Sequence, residues 1–206
     1  LVIDMTGKPG ESLTITDVFY RDLEYRLVDL AYGPDRLRDA VPDWSMELPP
    51  NPLAEPDMQA ATRHQIIFNG GMMGQMMMGG GMGSMMEQMR EGNMWFINGE
   101  AATGHMMDPL LVLPQGTSHV VQMDNRTAWH HPMHLHGHSF RVITRNGQPT
   151  RHREWQDTVL MAPEERVEIA FVADNPGDWM FHCHILEHQA AGMMGIIRVD
   201  PGTTKT

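Results

Sequence analysis

The sequence has almost no cysteine. Cys183 stands alone among 206 residues, so no disulfide can form within the chain. Lysine is nearly absent too, with only Lys8 and Lys205. Positive charge is in deficit, 15 Lys and Arg against 26 Asp and Glu, for a formal charge of −11. Such a surface repels phosphate backbones and anionic lipid, which argues against nucleic acid and membranes as partners. No apolar run approaches the roughly 20 residues needed to cross a bilayer, and no secretory leader pattern is visible. The chain opens on Leu1 rather than Met, inside strand-like sequence, and a preceding segment is expected to have been removed or lost.

What is present suits a soluble globular protein of one to two domains: 41% hydrophobic residues, 20% charged, and a large share of methionine at 21 residues. LTITDVF alternates as a strand does, and YRLVDLAY is a second candidate. Residues 33–63 read as a linker, rich in Pro and turn residues. Residues 69–93 form a low-complexity Gly/Met segment. Beyond it MWFING, LLVL, TSHVVQM, SFRVIT, RVEIAFV, DWMFHCH and MGIIRV read as short strands with Gly, Pro and Asn punctuation. That spacing predicts an all-β sandwich or barrel, with ILEHQAAG as a short helical turn.

The lone cysteine sits in HCHILEH, residues 182–188. A Cys beside a His can be an activated nucleophile, but that pairing needs no His on both sides. Thiolate and imidazole together suit a soft or borderline metal, and blue-copper sites use two His, one Cys and a weak axial Met. Cys183, His188 and Met193 supply three of those ligands, and the second His must come from elsewhere. A second cluster, HHPMHLHGHSF at residues 130–140, falls between two candidate strands, where a loop could present ligands from a rigid frame. His134 and His136 are two apart, as are His182 and His184. In an extended chain each pair shares a face, and the residue between points the other way. Cys183 therefore faces away from its neighbours, a pattern suited to two metal centres back to back.

HPMHLHG and HCHILEHQAAGM resemble the two C-terminal copper signatures of the multicopper oxidases (laccases, cuprous oxidases, copper-resistance oxidases). The resemblance covers residues 94–200 well and 64–93 loosely. It implies a cupredoxin-like Greek-key β-barrel or sandwich at residues 64–202, with a Met-rich insert at 69–93, preceded by the tail of another cupredoxin domain plus linker at 1–63. It implies that His131, Cys183 and His188 bind type 1 copper with Met193 axial, that His134 binds type 2 copper, and that His136, His182 and His184 bind the type 3 pair. Cys183 and His188 would then carry electrons from a phenol, an aromatic amine or a metal ion to a trinuclear centre that reduces dioxygen to water. The type 1 set is complete here, whereas the type 2 and type 3 sites are half complete. The missing imidazoles, two further His-x-His pairs, would come from an N-terminal domain or a second chain. A periplasmic or extracellular location is implied as well. A stand-alone blue-copper electron carrier is the alternative, although it leaves His134, His136, His182 and His184 without a use.

The chain departs in places from the pattern of the family it resembles. Copper-efflux members carry an Asp and a Met just before the first type 1 His, where this chain has Thr127, Ala128, Trp129 and His130. Many bacterial members carry Glu where Gln189 stands. His130 competes with His131 as a ligand, with the HPxH spacing favouring His131. His64, His105, His119, His138 and His152 are expected to be surface or hydrogen-bonded residues. The Met run from Met72 to Met94 reads either as Cu(I)-binding thioethers or as a loop covering apolar surface. Asn125-Arg126-Thr127 fits a glycosylation acceptor, and nothing else points to that modification.

Overall fold

The computed structural model describes residues 7–36, 49–71, 92–102 and 108–202. It contains two compact units, Leu1–Asn51 and Pro52–Thr206. In the first, β1 (Ser12–Tyr20) and β2 (Leu23–Ala31) form an antiparallel hairpin. Leu13, Ile15, Val18, Leu27 and Val28 are all exposed, although a lone two-stranded hairpin has little stability without an apolar face to bury.

The second unit holds two sheets. One is built from β3 (Thr62–Gly70), β4 (Trp95–Ile97), β6 (Ser118–Asn125), β8 (Phe140–Arg145), β9 (Gln148–Pro149), β10 (Trp155–Gln156) and β12 (Arg166–Val172). The other runs in the order β11 (Thr158–Met161), β7 (His131–Leu135), β13 (Gly177–Cys183), β14 (Met194–Asp200) and β5 (Leu111–Pro114). The chain passes between sheets at almost every step from β5 to β13, and the pairs β3/β6 and β5/β14 are parallel. This is a cupredoxin-like Greek-key sandwich. Inward residues of both sheets form one core that includes Phe68, Phe140, Phe171 and Phe181, each fully buried and worth about 2–3 kcal/mol of apolar burial. Among the described residues no helix is long and apolar enough to cross a membrane.

Asn98-Gly99 and Asn146-Gly147 have positive φ at both residues, the geometry of a two-residue hairpin turn whose twist matches its strands. The second joins β8 to β9, with Arg145 opposite Gln148. The ILEHQAAG stretch carries α1 (Leu186–Ala190). Two segments differ from expectation. HPMHL, expected in a loop, is strand β7 with alternating burial; Pro132 is accommodated because its carbonyl accepts the His184 N–H at 2.8 Å and its missing N–H is not required. Residues 62–63, expected in the linker, begin β3, whose Ile66 and Phe68 reach the core. Most of the Met-rich segment, residues 72–91, and His105 lie outside the described residues.

Candidate metal centre

Strand β13 ends on Phe181, His182 and Cys183, and its pleat sends successive side chains to opposite faces. Cys183 is buried within the core, while His182 and His184 project from the other face. β7 pairs with it so that Cys183 is opposite Met133 and His182 opposite His134. His131, two residues before Met133, therefore shares the core face with Cys183. α1 then turns the chain so that His188 returns to the same point.

The result is a buried trio. Cys183 Sγ is 3.7 Å from both His131 Nδ1 and His188 Nδ1, and the two nitrogens are 3.1 Å apart. Ligands at about 2.0–2.3 Å from one ion, spread at tetrahedral to trigonal angles, stand roughly 3.3–3.8 Å apart. The two S–N distances fall in that range and the N–N distance is slightly shorter; the ligand atoms all lie within 4.8 Å of one another. Met193 is fully buried in the same cluster as Cys183. Its backbone closes the loop, the carbonyl accepting Cys183 N–H at 3.1 Å and its N–H reaching His188 O at 3.0 Å. His130 is only half buried, whereas His131 is fully buried beside the thiol.

Burial sets the protonation here. It pushes the Cys183 thiol up to about 11. It pushes His131 down to about 3, with His188 and His130 adding repulsion, and it lowers His188 as well. Neutral imidazoles are the form that ligates a metal, and the thiol needs a metal's charge to ionise near neutral pH.

On the opposite face His134, His182 and His184 form a second group with ligand atoms within 4.8 Å of one another. His136 joins it, its Nε2 3.0 Å from His182 Nε2. His182 Nδ1 donates to Cys183 O at 2.9 Å, and His134 Nδ1 donates to Asp157 O at 2.9 Å. Each backbone acceptor fixes the proton on Nδ1 and leaves Nε2 bare. A cleft of about 300 Å³ opens beside the group, lined in part by His134, His138, Trp155 and Asp157.

Several neighbours were not singled out by sequence reasoning. Trp95, 5% exposed, lies 4.2 Å from His188 and 5.1 Å from His131 between ring centroids. Trp129 is 56% exposed, yet its ring stands edge-on 6.3 Å from His188. MWFING reads only as a short strand, and nothing in it signals contact with the histidines. Asn125 is fully buried and hydrogen-bonded, which excludes it as a glycan acceptor. His119 and His138 are buried, while His152 is exposed.

Two curled sheets with a His/Cys trio on one face of a strand and a His group on the other define a cupredoxin domain with metal-ligating donors. The sequence profile of the multicopper oxidases matches residues 82–203. Multicopper oxidase MmcO of Mycobacterium tuberculosis is 42% identical over 99 residues, 48% of this chain and 18% of that protein. The iron transport multicopper oxidase fio1 of Schizosaccharomyces pombe is 30% identical over 121 residues. A multicopper oxidase from Pseudomonas thermotolerans superposes over 94% of this chain and 41% of its own with a TM-score of 0.69 at 25% identity. A Campylobacter jejuni metallo-oxidase does so with a TM-score of 0.68, also at 25% identity. The chain belongs to the multicopper oxidase family, whose metal is copper. It spans less than half the length of these solved structures.

Proposed function

We propose that this chain is the type 1 copper-bearing, C-terminal part of a multicopper oxidase. It would take single electrons from a phenol, an aromatic amine or a metal ion and deliver them to a trinuclear copper centre that reduces dioxygen to water. His131, Cys183 and His188 would hold the type 1 ion with Met193 axial; His134 would serve type 2, and His136, His182 and His184 the type 3 pair. Copper would supply one-electron redox chemistry at the first site and dioxygen reduction at the second. The observation that carries this reading is the alternation on β13: Cys183 faces a buried donor trio while its covalent neighbours face the His group.

Each residue has a physical task in this reading. Cys183 and His131 are held in a dry pocket, and Trp95 walls the two imidazoles. His188 lies at 8% exposure, the least enclosed of the trio and the natural entry point for an electron. The peptide bonds on either side of Cys183 are the shortest covalent link to the second group. The remaining imidazoles would come from an N-terminal cupredoxin domain or a second chain, and residues 1–63 would be the tail of such a domain plus linker. We place the protein in the periplasm or outside the cell, the compartments the resemblance implies. A stand-alone electron carrier would leave four clustered histidines idle.

The test is optical. Thiolate-to-Cu(II) charge transfer gives such a site an intense blue band, which a Ser oxygen cannot reproduce. The copper-loaded chain should be blue and Cys183→Ser colourless; a mutant that kept the band would remove the assignment.

A further inference from the structure

We propose that Asn125 and Thr127 form a hydrogen-bond relay that holds His131 with its proton on Nε2, so that Nδ1 offers its lone pair to the Cys183 pocket. The functional consequence rests on the copper reading above; the proton positions follow from hydrogen-bond directions alone. The relay begins at Asn125. Its amide nitrogen lies 2.8 Å from Trp129 O and 2.7 Å from Ala162 O. Both are carbonyl oxygens, which only accept, so the end facing them is the NH₂ group. Oδ1 therefore faces Thr127, accepting its N–H at 3.1 Å and standing 2.8 Å from its Oγ1.

The Thr127 hydroxyl has a single proton to place. Trp129 N–H donates to Oγ1 at 3.2 Å. His131 Nε2, at 2.7 Å, could by itself either give or take a proton. If the hydroxyl proton went to His131, Oγ1 and Asn125 Oδ1 would oppose lone pairs at 2.8 Å. Thr127 is 3% exposed and Asn125 fully buried, so no water relieves the clash; Oδ1 would keep the Thr127 N–H, but two oxygens at 2.8 Å with no proton between them repel. Trp129 O, 3.3 Å from Oγ1, is a second and longer acceptor; whether the proton goes there or to Oδ1, the hydroxyl has none left for His131, which must donate from Nε2. Nδ1 is then bare, 3.7 Å from Cys183 Sγ, and accepts the Nδ1–H of His188 across 3.1 Å.

His134 and His182 have their tautomers fixed by single backbone carbonyls. A hydroxyl can donate as well as accept, and only the orientation of Asn125 removes that freedom. Asn125 and Thr127 are thus positioning residues that act through His131. Because Asn125 also ties Trp129 to Ala162, just beyond β11, the relay links the ligand to the backbone on both sides of the pocket.

Histidine ¹⁵N NMR of the metal-free 206-residue chain tests this without copper. Wild type should show His131 protonated on Nε2 and bare on Nδ1, and Thr127→Ser should keep that pattern. Thr127→Val has the same shape but would leave Nε2–H buried without an acceptor. Its proton should move to Nδ1, where His188 can accept it, and Cu(I) affinity in a competition assay should fall about 10- to 100-fold. Thr127→Ser should stay within about threefold of wild type. A wild-type His131 protonated on Nδ1 overturns the proposal, as does a Val variant with unchanged tautomer and affinity. If Thr127→Val fails to fold, the wild-type spectrum decides. A wild type with the stated tautomer that binds no copper supports the relay and sinks the copper reading instead.

Discussion

Cys183 and His131 are diagonal neighbours across the β7–β13 ladder: 52 residues apart in sequence, they meet at 3.7 Å on the core face. The same ladder sets His182 directly opposite His134 on the outer face. One strand pairing therefore orders both donor groups, and a one-residue slip would exchange their faces. Features that lock this register therefore also hold both donor groups in place.

Gly137 follows His136 with φ +70°, and a Cβ placed there would sit 2.3 Å from Trp179 Cδ2. The indole cannot simply retreat, because Trp179 Nε1 donates to Asn175 O at 2.8 Å while Asn175 Nδ2 donates to Gly137 O at 3.1 Å. Left-handed backbone costs about 1–2 kcal/mol for a residue with a Cβ, and overpacking adds roughly 1–3. Gly137→Ala should therefore lower stability by about 2–5 kcal/mol in denaturant unfolding. A variant as stable as wild type would show that the Trp179 corner yields.

Met193 should tune the potential without being essential. It is fully buried, and exchange of Met for Leu conserves volume well enough to cost under about 1.5 kcal/mol. A weak axial thioether stabilises Cu(II) slightly, and an apolar replacement removes that donation. Met193→Leu should keep copper and colour and raise the reduction potential in a voltammetric titration. Loss of copper or a lowered potential would count against an axial role.

The sandwich was readable because its strands alternate and its Asn-Gly turns carry a geometric demand that few other dipeptides meet. β7 was not, since His131, Pro132 and His134 have no strand propensity; their extended form comes from pairing with β11 and β13 on both sides. Period-two spacing made the pairs His134/His136 and His182/His184 legible, with Cys183 facing the other way; that His131 joins Cys183 and His188 was legible only through the resemblance of HPMHLHG and HCHILEHQAAGM to the copper signatures. The Asn125–Thr127 contact was hidden for another reason. Its meaning depends on Ala162, on a distant turn, and no local pattern records which way an amide points.

His119 and His64 give the fold a pH dependence away from either donor group. The Thr117 hydroxyl donates to Pro114 O, His119 Nε2 donates to Thr117 Oγ1 at 2.7 Å, and His64 Nε2 donates to His119 Nδ1 at 3.0 Å. Burial, then the neighbouring His64, pushes His119 from its ordinary 6.5 to about 4, and burial lowers His64 too. Because the folded value lies below the unfolded one, the unfolded chain binds more protons between them. The stabilisation is fully present above pH 6.5 and is lost as pH falls through about 4, up to about 3 kcal/mol in all. Unfolding free energies across that window should decline in wild type and flatten in His119→Gln. An equal decline in both would assign it to other groups.

By itself this chain carries one full donor set and part of another. His131, Cys183, His188 and Met193 all lie within it, and the ligand atoms of the first three lie within 4.8 Å of one another. The outer group offers His134, His136, His182 and His184, half of the imidazoles that the family resemblance calls for. Partial shells hold metal poorly, because affinity depends on the full ligand set being present and correctly arranged. The purified 206-residue chain should therefore retain about one tightly bound copper, turn blue, accept electrons and leave dioxygen unreduced. Supplying the N-terminal portion, as a separate chain or a restored fusion, should bring back the remaining coppers and oxygen uptake together. A copper assay and an oxygen electrode decide it: a full copper complement with sustained oxygen consumption by this chain alone would mean that self-association supplies the missing ligands, and the reading of this chain as a part would be wrong.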